Sequence, residues 1–220
     1  MTVTIAEELL LLAYSDQEGK PVISGIPLDA ALAGALLAEL AVNERLELSK
    51  KKVTVRDATP LGETELDAAL ARMAEDGKER RPAWWVQKLQ SGKLRNRLLN
   101  GLAERGVLSE QQRKVLGMFP ASRWPEADPS VELEVRERVS SALAGGEPEP
   151  RTAVLIALLH AAKLDRKAFP EASKARIKEI SEGTWAADAV AQTIAAINGA
   201  MIAAISAAVS VSTTAGASGG

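Results

Sequence analysis

The chain has 220 residues, with 27 lysines and arginines against 29 acids, a net charge of −2, and 46% hydrophobic residues. That composition can fill the core of one globular domain and excludes a disordered polar chain; binding to anionic lipid or nucleic acid must then come from a local patch, not from overall charge. The lack of cysteine excludes disulfides, thiol catalysis and zinc–thiolate sites.

Taken in chain order, Thr4 and Glu7 spell a capping box that starts a first helix carrying leucines 9–12. Glu7 and Glu8 interrupt this opening and no basic stretch leads it, so it is not expected to be a secretory leader. Pro27 starts a second helix, running to about Asn43, with Leu28, Leu32, Leu36, Leu37 and Leu40 on its buried side. Residues 45–48 and 52–56 alternate by two around 49–51 and predict a hairpin, which after a helix resembles a winged-helix element. A turn at 57–62 leads to a helix at 63–75, with Leu66, Leu70 and Met73 inward. After a break at 77–82, helices are predicted at 82–89 and 93–105, the latter with Leu94, Leu98 and Leu102 on one face and Gly106 as its C-terminal cap. Gly117, Pro120 and Pro125 punctuate 107–125, which reads as an extended loop or hairpin projecting from the body. Helices follow at 129–144, 151–163 and 170–182.

Between 189 and 211 no residue is charged, yet Val190, Ile194, Ile197, Met201, Ile202, Ile205 and Val209 recur at steps of three and four. That stripe predicts a last helix packed by one face, since a membrane-spanning helix needs no stripe. The fold expected is mainly α: a single compact helical domain around an apolar core over 1–211, a small winged-helix-like β-hairpin, one projecting loop or hairpin, and a flexible tail at 212–220.

Catalytic signatures are sparse in the sequence. His160 stands alone among Leu155, Ile156, Leu158 and Leu159 and reads as a core or boundary histidine with a hydrogen-bond partner. No nucleophile elbow, phosphate loop or dinucleotide fingerprint is present. The acids are scattered among basic neighbours, so no metal or cofactor is expected and the chain is not read as an enzyme. The anomaly is electrostatic. From 78 to 97, Lys78, Arg80, Arg81, Lys88, Lys93, Arg95 and Arg97 stand against Glu79 alone, seven cations and one acid for a local net of +6. Trp84 and Trp85 lie among them. Guanidinium groups hold phosphate by paired, charge-assisted hydrogen bonds, and tryptophan suits the boundary between water and acyl chains. A phosphorylated lipid headgroup, a nucleic acid and a merely solvated helix face all fit this composition.

Several stretches together point to a family: IAEELLLLAYSDQEGK, LAGALLAELAVNERLEL, VTVRDATPLGETELDAALARM, LRNRLLNGLAERGVL, LGMFPASRWP and EPEPRTAVLIALLHAAKL. In this order, over about 4–182, the chain resembles the Golgi phosphoprotein 3-like family, in a compact bacterial, actinobacterial-style form. The resemblance implies an almost wholly helical fold. It further implies a cytoplasmic protein, peripherally associated with membranes, that binds phosphatidylinositol 4-phosphate and grips the cytosolic tails of membrane proteins. It also implies that the segment after GVL is a hairpin used in homo-oligomerisation, which would engage Val107, Leu108, Phe119, Arg123 and Trp124. The family's headgroup pocket uses a tryptophan and three arginines. Their positions fall at Ser24, Ala33, Gly92 and Arg95, so only Arg95 is retained, with Lys93, Arg97, Lys88 and Arg81 available to compensate.

Three readings follow. The first is a peripheral protein binding anionic headgroups through Arg95 and its basic neighbours, with Trp84 or Trp85 touching the membrane. The second is an interaction module without lipid binding, built on the loop around Phe119 and Trp124. The third, nucleic-acid binding through Lys50, Lys51, Lys52 and Arg56, requires one basic face continuous with 88–97.

Overall fold

Thr4 begins the fold as its spacing predicts. Its hydroxyl accepts from the Glu7 amide at 3.3 Å and the Glu7 carboxylate accepts from the Thr4 amide at 2.8 Å, which satisfies two donors that a helix start leaves open. The computed structural model of the protein describes residues 3–115 and 119–182 and positions 196, 199, 202 and 203; at 49, 113–115 and 119–121 it describes the backbone alone. The expected last helix over 189–211, apart from those isolated positions, and the tail at 212–220 lie outside the described residues.

From Thr4, α1 (Ile5–Ala13) is buried along its whole length. The next helix, α2 (Gly25–Val42), is mostly alanine and leucine, and its residues from Ala30 to Ala41 are all buried. A helix apolar on nearly every side, with Glu39 paired inside the protein, has little solvent face to offer and belongs at the centre. Its alanines and Gly34 let neighbours approach closely, and α1, α3 (Thr64–Asp76), α4 (Pro82–Leu89), α5 (Gly92–Glu104) and α7 (Pro150–Ala161) all pack against it. By length and composition α2 could also cross a membrane, but here it is mostly buried as the core helix.

Two antiparallel hairpins accompany the helices among the described residues. The first pairs β1 (Leu46–Ser49) with β2 (Lys52–Val55), Ser49 facing Lys52. The two loop residues Lys50 and Lys51 have φ of 50° and 63°, the geometry of a primed turn achieved without glycine or asparagine. The predicted loop or hairpin at 107–125 is a hairpin, β3 (Gln111–Val115) with β4 (Phe119–Arg123). Its base docks onto the turn after α1: the Trp124 amide donates to the Gly19 carbonyl and the Glu126 amide to the Asp16 carbonyl, both at 2.9 Å. Gly19 has φ +59°, and a Cβ there would lie 2.3 Å from the Trp124 backbone, so this contact admits glycine alone.

The C-terminal part of the described chain departs from expectation. After α6 (Pro129–Leu143) and α7, Lys163 turns left-handed at φ 58°. A single-turn helix, α8 (Asp165–Ala168), follows, and α9 (Lys174–Ser181) begins beyond Pro170 instead of at it. One turn is too short to show a period, and the true N-cap is Ser173.

A buried charge network joins distant segments. Arg151, at the start of α7, donates to Glu39 of α2 at 2.5 Å, to Glu8 of α1 at 3.2 Å and to the Val3 carbonyl. Arg138 of α6 donates to Glu8 at 2.7 Å and to the Thr152 hydroxyl at 3.0 Å, and the Ile5 amide donates to Glu39 at 2.8 Å. Arg105 of α5 pairs with Glu7. Burial pushes the Glu8 and Glu39 carboxyls above the usual carboxylate range, opposed chiefly by Arg151.

Candidate functional site

The retained arginine sits where two helix starts converge. Ser91 caps α5, its hydroxyl accepting from the Leu94 amide at 3.1 Å. Arg95, one turn in, reaches back over the first turn of α2. A Cβ on Gly25 would lie 2.8 Å from Arg95 Nη1, and one on Gly92 would lie 3.6 Å from Nη2. Both helix starts are therefore bare of side chain where the guanidinium lies. The α2 start has no side-chain cap and no acid in its first turn, so its exposed amides and dipole favour an anion nearby.

The sequence reading missed the group that faces Arg95. Asp29 Oδ1 of α2 lies 3.1 Å from Arg95 Nη1, both side chains about four-fifths buried. Neither atom has an aligned hydrogen-bond partner, so the contact is one of charge with poor geometry. Asp29 Oδ2 is also 4.0 Å from where a Gly92 Cβ would stand, which puts the carboxylate at the mouth of α5. Burial pushes the Asp29 carboxyl up, against the pull of Arg95, and burial pushes the neighbouring Tyr14 phenol up as well. The only signal in the sequence was one acid inside the run GIPLDAALAG.

The other basic residues do not gather at Arg95. Arg97 points to another side of α5 and makes a bidentate pair with Glu65 of α3, at 2.6 and 2.7 Å. With Glu63, Glu104 and Arg105 it lines a separate cavity of about 410 Å³. Lys93 is exposed on the first turn of α5, and Arg81 is exposed at the start of α4. Lys88 lies 6.0 Å and Arg80 4.4 Å from the centre of the Trp84 ring, which is half-buried beside these two cations. Trp85 is a correction to the expected membrane contact: it is 1% exposed, packed in the core and edge-on to Trp84. Consecutive positions on a helix face different ways, and one of the pair had to face inward. The apolar side chain that does stand out beside Arg95 is Ile26, 51% exposed on the first turn of α2.

At the hairpin, Val107, Leu108 and Trp124 are buried parts of its base, unlike the accessible aromatic anchor expected at Trp124. Arg123 is half-buried at the end of β4, and of Phe119 only the backbone, paired with Val115, is described. On the first hairpin, Lys52 pairs with Glu79 at 3.0 Å and Arg56 with Glu44 at 3.5 Å. Acids thus interleave the basic face that the nucleic-acid reading requires. His160 is a boundary histidine, its Nδ1 2.8 Å from Asp165. No group of three or more acids and histidines suited to a metal occurs among the described residues.

Fold and site together define, among the described residues, a mainly helical domain with two small hairpins and a partly buried arginine laid across bare helix starts. Residues 5–197 match the family described as Golgi phosphoprotein 3 (GPP34), and the chain belongs to that family. It is similar to two proteins called vacuolar protein sorting-associated protein 74. Identity is 29% over 64% of this chain with the one from Eremothecium gossypii, and 27% over 64% with the one from Schizosaccharomyces pombe. The matches span about half the length of these relatives, 49% and 48% respectively.

Proposed function

We propose that the protein is a peripheral membrane protein that binds the anionic headgroups of lipids, phosphatidylinositol 4-phosphate among them, at Arg95. The observation that carries this reading is the placement of Arg95 over the uncapped start of α2, with Lys93 and Ile26 exposed on the adjoining first turns. A phosphate there would meet a guanidinium, an ammonium and helix-start amides, while Ile26 enters the apolar boundary of the bilayer. The reading assigns no catalytic step. The family name and the relatives' names in vacuolar protein sorting support a cytoplasmic place at the surface of Golgi-type membranes, and the tails of membrane proteins are the partners this reading adds.

Sedimentation with vesicles tests it, using phosphatidylcholine alone or mixed with phosphatidylinositol 4-phosphate, phosphatidylinositol or cardiolipin. Binding to the anionic vesicles should fall roughly tenfold in Arg95→Ala, the loss of one charge-assisted contact, and fall again as salt rises. Equal binding by Arg95→Ala would remove this site from the reading.

A second reading, self-assembly through β3 and β4, is favoured by their pairing, among the described residues, with each other alone, which leaves both outer edges without a described strand partner. It expects an assembly in sedimentation velocity that shrinks when the hairpin is shortened.

A further inference from the structure

The site is closed by its own acid. Asp29 occupies the position an incoming anion would need: opposite Arg95 at 3.1 Å and at the mouth of α5, beside Gly92. An arginine that pairs a carboxylate well does so by two parallel hydrogen bonds. Here a single close contact is made, and the Asp29 Oδ1 and Arg95 Nη1 atoms that make it are buried without aligned partners. Such a pair holds the guanidinium in place by charge while leaving much of its hydrogen-bonding capacity unused. A phosphate monoester brings three acceptor oxygens and up to two negative charges, so it can satisfy donors that the carboxylate does not.

We propose that Asp29 is a built-in competitor for the anion site: its carboxylate holds Arg95 in the resting protein, and a phosphate group binds by displacing it. This inference rests on the proposed headgroup binding at Arg95. Its consequence is a threshold. Weakly charged surfaces do not displace Asp29, and dense or doubly charged phosphate does. Proton uptake opens the same gate. The groups facing Asp29 are Arg95 from α5 and the Tyr14 phenol from the end of α1. Tyr14 stays neutral through the physiological range, so protonation of Asp29 leaves Arg95 without a counter-charge. Burial already raises the Asp29 carboxyl above its ordinary range, and neutralisation therefore begins at less acid pH than for an exposed aspartate.

The test compares wild type, Asp29→Asn, Arg95→Ala and the double variant on phosphatidylcholine vesicles with and without phosphatidylinositol 4-phosphate, at about pH 5.5 and about pH 7.5. Asp29→Asn keeps shape and removes charge. It should bind the phosphorylated vesicles roughly tenfold tighter than wild type at the higher pH. That gain should vanish in the double variant and shrink at the lower pH, where wild type gains relative to Asp29→Asn. Protonation of the lipid phosphate is common to both proteins and cancels in their ratio. Calorimetry with soluble inositol 1,4-bisphosphate separates headgroup recognition from the membrane surface: tighter binding by Asp29→Asn there assigns the gain to the phosphate itself. Thermal unfolding checks that Asp29→Asn is folded, and Asp29→Ser replaces it if not. If Asp29→Asn binds no tighter than wild type while Arg95→Ala loses binding, the competitor is overturned and the headgroup reading stands. If neither wild type nor Asp29→Asn binds, or Arg95→Ala binds as well as both, the headgroup reading falls and the competitor with it.

Discussion

Two glycines show how differently one added methyl group acts at the residue scale. At Gly25 the nearest atom to an added Cβ is Arg95 Nη1, 2.8 Å away, the tip of a flexible side chain. Gly25→Ala should therefore leave unfolding free energy within about 0.5 kcal/mol of wild type, since alanine also favours the helix. It should nonetheless push the guanidinium aside and weaken Arg95-dependent vesicle binding several-fold. At Gly19 the nearest atoms are the backbone of Trp124 and Pro125, at 2.3 Å, and φ is +59°. Neither can yield cheaply, so Gly19→Ala should cost about 2 kcal/mol or more in urea denaturation, combining strain with loss of the hairpin's docking. Equal stability losses for the two variants would contradict the distinction between a movable side chain and a fixed backbone.

The elements themselves were largely legible, because each carried its own signal. The capping box at Thr4, the leucine spacing of α5 and the alternation in β1 and β2 all stand where the sequence puts them. What the sequence hid was anything made by elements far apart in the chain. Arg95 could be named from the sequence as a candidate, whereas Asp29 is 66 positions earlier (95 − 29), inside an apolar run, and only folding brings them to 3.1 Å. Likewise Arg97 looked like part of one basic cluster with Arg95, but two residues along a helix turn it about 200° away, toward Glu65. The same holds for the buried network, in which Arg151 satisfies Glu8 and Glu39 from two other helices. Arg151→Met would leave both carboxylates buried with less compensation, and should cost about 3–5 kcal/mol. Replacing Glu8, Glu39 and Arg151 together with apolar residues of like size should recover much of that loss. Urea midpoints for the single and triple variants decide between an indispensable ion network and one that apolar packing can replace.

For the whole molecule, the buried acids decide how stability responds to pH. Glu132 of α6 is 4% exposed and donors reach it from Arg136 at 2.6 Å, yet burial still pushes its carboxyl up to about 7, helped by Asp16 and Glu126. These acids come from the turn after α1, the exit of β4 and the first turn of α6, so the crowding exists only in the folded chain. Between the ordinary value of 4.5 and about 7 the folded protein therefore holds a proton that the unfolded chain has released. A carboxyl raised in this way contributes most at the acid end of that window, and its contribution is lost as pH rises through about 7. At roughly 1.4 kcal/mol per unit the full swing is on the order of 3 kcal/mol. Partly exposed carboxyls such as Asp57 and Asp76 are lowered by their hydrogen bonds to Thr59 and Arg80, and their stabilisation fades only below the ordinary carboxylate range. Stability should accordingly peak under mildly acid conditions and decline toward about pH 8. Glu132→Gln, which mimics the protonated form, should unfold at higher urea than wild type at about pH 8, with the two converging near about pH 5. A wild-type profile that rises steadily from pH 5 to pH 8, or a variant that declines as steeply as wild type, would mean that Arg136 holds Glu132 ionised throughout.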